Sequence, residues 1–190
     1  MGQFDYNNYL VEVNLKDNLT DPREEQLMLQ RPSLREYKTI IRKKPYIPYS
    51  PKAEAIIRFF IDYSDGLIKP DRWGYWDPIN KIFDESSLND CIRGLATPGG
   101  GIYLKKKFSY DAEIKNNTFA FIWDDNGDFM EAEAPLPDYL TTIRLFFPGR
   151  KTVDMCFLTR LMNDIKETFH TDNGRVYYQA TNETIADSKE

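Results

Sequence analysis

The chain has 190 residues, with 30 acidic against 25 basic side chains and a formal net charge of −5. That length suits one domain over 1–190 that buries most of its apolar surface without disulfides, and 41% hydrophobic with 14% aromatic residues is too apolar for a disordered chain. The acidic balance speaks against a general nucleic-acid binder, which needs a cationic footprint to release counterions, and suits a basic protein partner.

Tyr9, Val11, Val13 and Leu15 alternate with Leu10, Glu12 and Asn14, which predicts a first strand with one buried face. The polar stretch from Lys16 to Ser33, holding Asp21-Pro22 and Arg31-Pro32, reads as a connection with one helical turn around Glu24 to Leu29. Alternation returns from Arg35 to Lys43, with Tyr37, Thr39 and Ile41 against Lys38, Ile40 and Arg42, and predicts a second strand. Ser50 before Pro51 is a helix start, with serine as N-cap and proline in the first turn. Ala53, Ile56, Ile57 and Phe60 then share one helical face, and Gly66 closes the element.

Lys69 to Gly101 is too proline-bound for a helix interior and too broken for a central strand. It reads as an ordered aromatic loop, followed by a short helix that Ser86 can cap, with Leu88, Cys91, Ile92 and Leu95 at three- and four-residue spacing. Gly99, Gly100 and Gly101 stop that helix and lead into a strand from Ile102 to Phe108. Asn117 to Trp123 and Asp128 to Ala134 flank Asn126-Gly127, a hairpin signal because both residues tolerate the positive φ of a type I′ turn. Thr141 to Phe147 supplies another strand. The longest helix is predicted from Thr152 to Phe169, with Met155, Leu158, Met162, Ile165 and Phe169 as its apolar stripe. A last strand runs from Arg175 to Ala180, and 1–7 and 181–190 read as frayed tails.

Clustered strands with helices at intervals define an α+β domain. The expectation is a mostly antiparallel sheet of six or seven strands with two longer helices and one short one. The alternating polar positions predict that one sheet face is partly wet or covered by loops. No secretory signal is visible, Tyr6 stands where a myristoylation signal wants Ser or Thr, and no apolar run reaches membrane-spanning length. The expected setting is cytoplasmic, with no membrane, no nucleic acid and no cofactor.

Five places in the chain could carry chemistry. His170 is the sole histidine, and a cation complementing a helix C-terminus explains it better than a catalytic triad. Cys91 and Cys156 fall on predicted helices among apolar neighbours, where free buried thiols sit, although spacing alone does not exclude a bridge. Asp124 to Asp128 fails the calcium-loop pattern, since Ile122 occupies the first ligand position. The three glycines lack the Lys-Ser/Thr and the following helix of a phosphate cradle. Asp71 with Glu113 and Lys115 outlines the acids and lysine of a restriction-type, magnesium-dependent nuclease at long spacing.

The aromatic loop carries Trp73, Tyr75 and Trp76 beside Asp71, Arg72, Asp77, Asp84 and Glu85. Its rings either cap the core or form an interface hot spot ringed by acid. Trp73-Gly74-Tyr75-Trp76-Asp77-Pro78-Ile79 with Phe83-Asp84, the glycine turn into Gly101-Ile102-Tyr103-Leu104-Lys105, and a late helix before a final strand together resemble bacterial immunity proteins, over roughly Ile68 to Gln179. These are the antidotes paired with polymorphic, contact-dependent or type VI secreted toxins. The resemblance implies a non-catalytic protein that binds a cognate toxin and blocks its active site or substrate access. Read as that hot spot, the aromatic loop places the contact at Asp71, Arg72, Trp73, Tyr75, Trp76, Asp77, Asp84 and Glu85. A nuclease, and an accessory component of a phage or secretion apparatus, are the alternatives.

Overall fold

The computed structural model describes residues 8–43, 46–75, 79–106, 118–124, 139–148 and 154–187. Strand β1 (Asn8–Leu15) is followed by helices α1 (Pro22–Leu29), α2 (Leu34–Lys43) and α3 (Pro51–Asp62), the last ending in a 3₁₀ turn, Tyr63–Gly66. Two short strands, β2 (Arg72–Gly74) and β3 (Lys81–Ile82), precede α4 (Ser87–Ala96) and β4 (Gly101–Lys106). The remainder is β5 (Thr118–Asp124), β6 (Thr141–Pro148), α5 (Met155–Thr168), β7 (Gly174–Tyr178) and β8 (Glu183–Asp187).

The fold is α+β, and among the described residues its strands form one eight-stranded sheet in the order β3-β2-β4-β5-β6-β1-β7-β8. Every pairing in it is antiparallel. The first strand lies inside the sheet, between β6 and β7, so residues far apart in sequence meet on it. Register fixes which side each residue serves. Val11, Val13 and Leu15 join Ile102, Leu104, Ile143, Leu145, Phe147 and Val176 on the core face.

Helices α3, α4 and α5 bury their apolar stripes on that same face. Ile56, Ile57 and Phe60 come from α3, Cys91, Ile92 and Leu95 from α4, and Leu158, Leu161, Met162 and Ile165 from α5. Burying a side chain of this kind contributes about 1.5–3 kcal/mol, so the shared core dominates stability. Ser50 caps α3 as expected, its hydroxyl accepting from the Ala53 amide, with Pro51 in the first turn. For α4 the capping side chain is Asp84 rather than Ser86: its carboxylate accepts from the Ser87 amide at 3.0 Å, while Ser86 makes no capping bond. The chain continues differently after β1 as well.

Asp21 caps α1 and Pro22 opens it, so a full helix stands where one turn was expected. The Arg35 to Lys43 segment is helix α2, not a strand. The alternation there is ambiguous, because Leu34, Tyr37 and Ile41 also fit three- and four-residue spacing. A capping box decides it: Ser33 Oγ and the Ser33 amide donate to Glu36 Oε2 at 2.6 and 2.9 Å, closing the helix start from both sides. Residues 183–187, expected as a frayed tail, form edge strand β8 on β7. Lys69 to Gly101 is likewise more ordered than a loop, since it contains β2 and β3. The strand expected from Asn117 to Trp123 is β5, but β4 and β6 pair along both its edges and leave none for a hairpin partner; Asn126-Gly127 and Asp128 to Ala134 lie outside the described residues.

Asp21 ties α1 to the rest. Its amide donates to the Ala96 carbonyl at 2.9 Å, and its carboxylate accepts from the Arg23 amide at 2.8 Å, Arg23 Nη2 at 2.5 Å and the Tyr49 amide at 2.9 Å. Arg23 lies 3.7 Å over the Tyr46 ring, whose hydroxyl donates to Glu24 at 2.6 Å. Burial alone pushes the Asp21 carboxyl up, but the Arg23 side chain and the two amides outweigh it and hold it below the ordinary value. A depressed carboxylate adds stability above the unfolded pKa of about 3.9, and that stability is lost as pH falls through the folded value. Thermal melts from about pH 7 down to about pH 2 are therefore expected to show wild type and Asp21→Asn converging at the acid end. Parallel curves would refute the assignment.

Candidate functional site

The expected contact residues divide on inspection. Trp73 is 3% exposed and belongs to the core, so it is not a surface anchor. It packs edge-to-face on Tyr75 at 5.3 Å between ring centroids. Lys81 Nζ, 4.2 Å from its ring centroid, closes it from outside. Tyr75 is half-buried and donates its hydroxyl to the Asp90 carbonyl at 2.8 Å, and burial pushes that hydroxyl's pKa up. Trp76 and Asp77 lie outside the described residues.

The polar members are surface groups with structural duties. Asp71 closes the sheet edge, its amide bonded to the Lys105 carbonyl and its carbonyl to the Phe83 amide, and its carboxylate stands 3.5 Å from Lys106 Nζ. Arg72 reaches the Asn80 carbonyl at 2.8 Å. Asp84 caps α4, and Glu85 is exposed beside it. Glu113 and Lys115, needed with Asp71 for the nuclease arrangement, lie outside the described residues.

The sheet face turned away from α3, α4 and α5 presents a different constellation. Register places Ile82, Arg72 and Lys105 in one row across β3, β2 and β4, continuing through Phe119 and Phe146 to Leu10 and Tyr177. The next row holds Tyr103, Phe121, Arg144, Glu12 and Arg175. Ile82, on the edge strand, is 66% exposed. Arg72 is exposed, and Tyr103, Lys105, Arg144, Phe146 and Arg175 are half-buried.

Glu12 is the centre of this face. Its side chain is 7% exposed, and the neighbouring strands bring a cation to it from each side. Arg144 Nε donates to Oε2 at 2.6 Å, Arg175 Nε and Nη2 reach Oε1 at 3.0 Å, and the Tyr177 hydroxyl donates to Oε2 at 3.4 Å. Arg175 also lies 4.2 Å over the Tyr177 ring. Burial and the Glu12 charge push the Tyr177 hydroxyl's pKa up, which keeps it a donor. A carboxylate held this way fixes the position of two arginine side chains on this face.

Sequence reasoning did not single out this cluster, because Glu12, Arg144 and Arg175 each read alone as an outward polar position of an alternating strand. Only the pairing of β1 with β6 and β7 brings them together.

The remaining candidates resolve simply. Cys91 and Cys156 are free; Cys91 is buried as expected, but Cys156 is exposed on the first turn of α5. Burial pushes the Cys91 thiol's pKa up, so it is no thiolate nucleophile. Among the described residues no three His, Cys, Asp or Glu side chains are placed to hold a metal ion.

His170 ends α5 in the left-handed region, φ 52°. Its amide donates to the Glu167 carbonyl at 3.4 Å and the Thr171 amide to the Lys166 carbonyl at 3.0 Å, the bond pair of a Schellman cap, where glycine is usual. His170→Gly is expected to stabilise the fold by about 1 kcal/mol through relief of that backbone cost, read from urea denaturation. Destabilisation would show that the imidazole itself matters. No protein-family model matches the chain, and neither a curated protein nor a solved structure matches it.

Proposed function

We propose that this chain is a binding protein that acts through the sheet face opposite α3, α4 and α5, and that its partner is a bacterial toxin which it neutralises by covering the active site or blocking substrate access. One observation carries the binding reading: Arg144 and Arg175, both half-buried, are held on that face by the locked carboxylate of Glu12, with Tyr103, Phe146 and exposed Ile82 in the same lattice. Arginine and aromatic residues are the types enriched in protein interfaces and their hot spots. The toxin assignment draws its support from the resemblance of residues 73–84 and the layout around them to immunity proteins. With Trp73 in the core, Ile82 takes its place as the apolar anchor, flanked by Arg72 and the acidic Asp71, Asp84 and Glu85. The net charge of −5 suits a basic partner, whose approach opposite charge accelerates and added salt slows.

The test is co-expression with the polypeptide encoded beside this chain, scored by growth rescue and by isothermal titration of the purified pair. Wild type is expected to rescue, and Ile82→Asp combined with Arg72→Glu is expected to weaken binding at least ~100-fold, the scale of losing a hot-spot contact, while circular dichroism stays unchanged. Rescue and affinity equal to wild type in that variant would remove the face from the contact. Absence of any growth defect to rescue, for every neighbouring product, would remove the toxin.

A further inference from the structure

Helix α2 and the turn before it reverse the charge of the molecule locally. Residues 31–43 hold five cations, Arg31, Arg35, Lys38, Arg42 and Lys43, against one carboxylate, Glu36, in a chain of net charge −5. All five cations are exposed. Among the described residues none of the five is drawn into an ion pair. Glu36 does not sit between them as a counter-charge, because it is turned back onto the Ser33 amide and hydroxyl.

Apolar surface stands beside these charges. Leu29, at the end of α1, is 67% exposed and Leu34, at the start of α2, is 61% exposed. Arg31 and Arg35 flank them along the chain. Two exposed leucines with cations on either side are the side-chain pattern of a segment that lies in a headgroup layer, leucines inward and arginines at phosphate level.

We propose that α2 and the 30–33 turn form a peripheral docking surface for an anionic phospholipid bilayer. No described helix is long and apolar enough to cross a membrane, and association in the plane of the surface requires none. A nucleic acid would also meet the cations, but it gives no use to Leu29 and Leu34. The acidic remainder of the molecule repels an anionic surface only within a Debye length of about 8 Å at physiological salt. Docking is therefore oriented, with α2 towards the lipid.

The experiment is co-sedimentation of the full chain with vesicles of phosphatidylcholine containing ~30% phosphatidylglycerol, against pure phosphatidylcholine, since anionic lipid supplies the attraction for clustered Lys and Arg. Binding is expected only to the anionic vesicles, to fall at least ~10-fold when Arg35, Lys38 and Arg42 are all changed to Glu, and to be lost in high salt. Leu29→Ser with Leu34→Ser is expected to weaken it several-fold without altering the salt dependence. Equal association with both vesicle types overturns the proposal. So does an unchanged affinity in the leucine variant, or tighter binding to a 20-base-pair DNA duplex than to the vesicles, read by fluorescence anisotropy.

Discussion

Replacing Gly100 by Ala is expected to cost about 3 kcal/mol or more, enough to leave little cooperative unfolding to measure in a marginally stable domain. A Cβ there would stand 1.8 Å from the Gly94 carbonyl oxygen and 2.6 Å from the Thr97 carbonyl oxygen. Both obstacles are backbone, so no rotamer change relieves the collision. The Gly100 amide donates to the Thr97 carbonyl at 2.8 Å, which folds the chain back on the end of α4 and launches β4. The turn thus sets where Ile102 and Leu104 enter the core and where β2 and β5 find their partner. Gly99 contributes differently, through its φ of 63°, which a side chain tolerates poorly.

Gly94→Ala is the informative comparison. Its Cβ would meet the Tyr75 ring edge at 2.5 Å, and a ring edge can swing where a carbonyl cannot. The expected cost is about 1–3 kcal/mol, with the hydrogen bond from Tyr75 to Asp90 weakened. Chemical denaturation of both variants checks the order of effects. Gly100→Ala unfolding like wild type would mean the turn is not closed as described.

The glycine run shows what a single chain discloses without its fold. Three glycines before an alternating segment announce a turn into a strand, and the turn is there. Which glycine is irreplaceable, and against what, depends on Gly94 and Thr97 lying over it. The same division runs through the molecule. Elements with a consistent period and a cap, α3 and α5 above all, stand close to where their apolar spacing puts them. Where period and cap disagree, the cap prevails: Ser33 with Glu36 makes α2 helical although its polar and apolar residues alternate. Strands β2, β3 and β8 were illegible because strands this short carry almost no pattern, and neighbours supply their hydrogen bonds. Trp73 had two readings, and Leu104 across the pairing with β4, together with Lys81 above its ring, decides for the core. The Glu12 cluster was hidden most thoroughly, because all three of its contacts to Glu12 span more than 130 residues and no local pattern links them.

Removing both cations from that cluster is expected to be the most damaging polar change on that sheet face. Arg144→Met with Arg175→Met leaves Glu12, 7% exposed, as a carboxylate without partners except the long Tyr177 bond. An uncompensated charge in that setting costs about 3–5 kcal/mol. The reverse change, Glu12→Gln, is expected to cost less, because the arginine side chains are 41% and 38% exposed and recover water. Changing all three residues to apolar ones is expected to return much of the lost stability, since no charge is then stranded. Urea denaturation of the four proteins, including wild type, reads the coupling directly, and strictly additive losses would show that the three groups do not act together. Stability and function part company in the triple variant. It regains the fold but no longer presents Arg144 and Arg175, so a partner that docks on the sheet face opposite α3, α4 and α5 should bind more weakly, whereas one that docks elsewhere should bind as before.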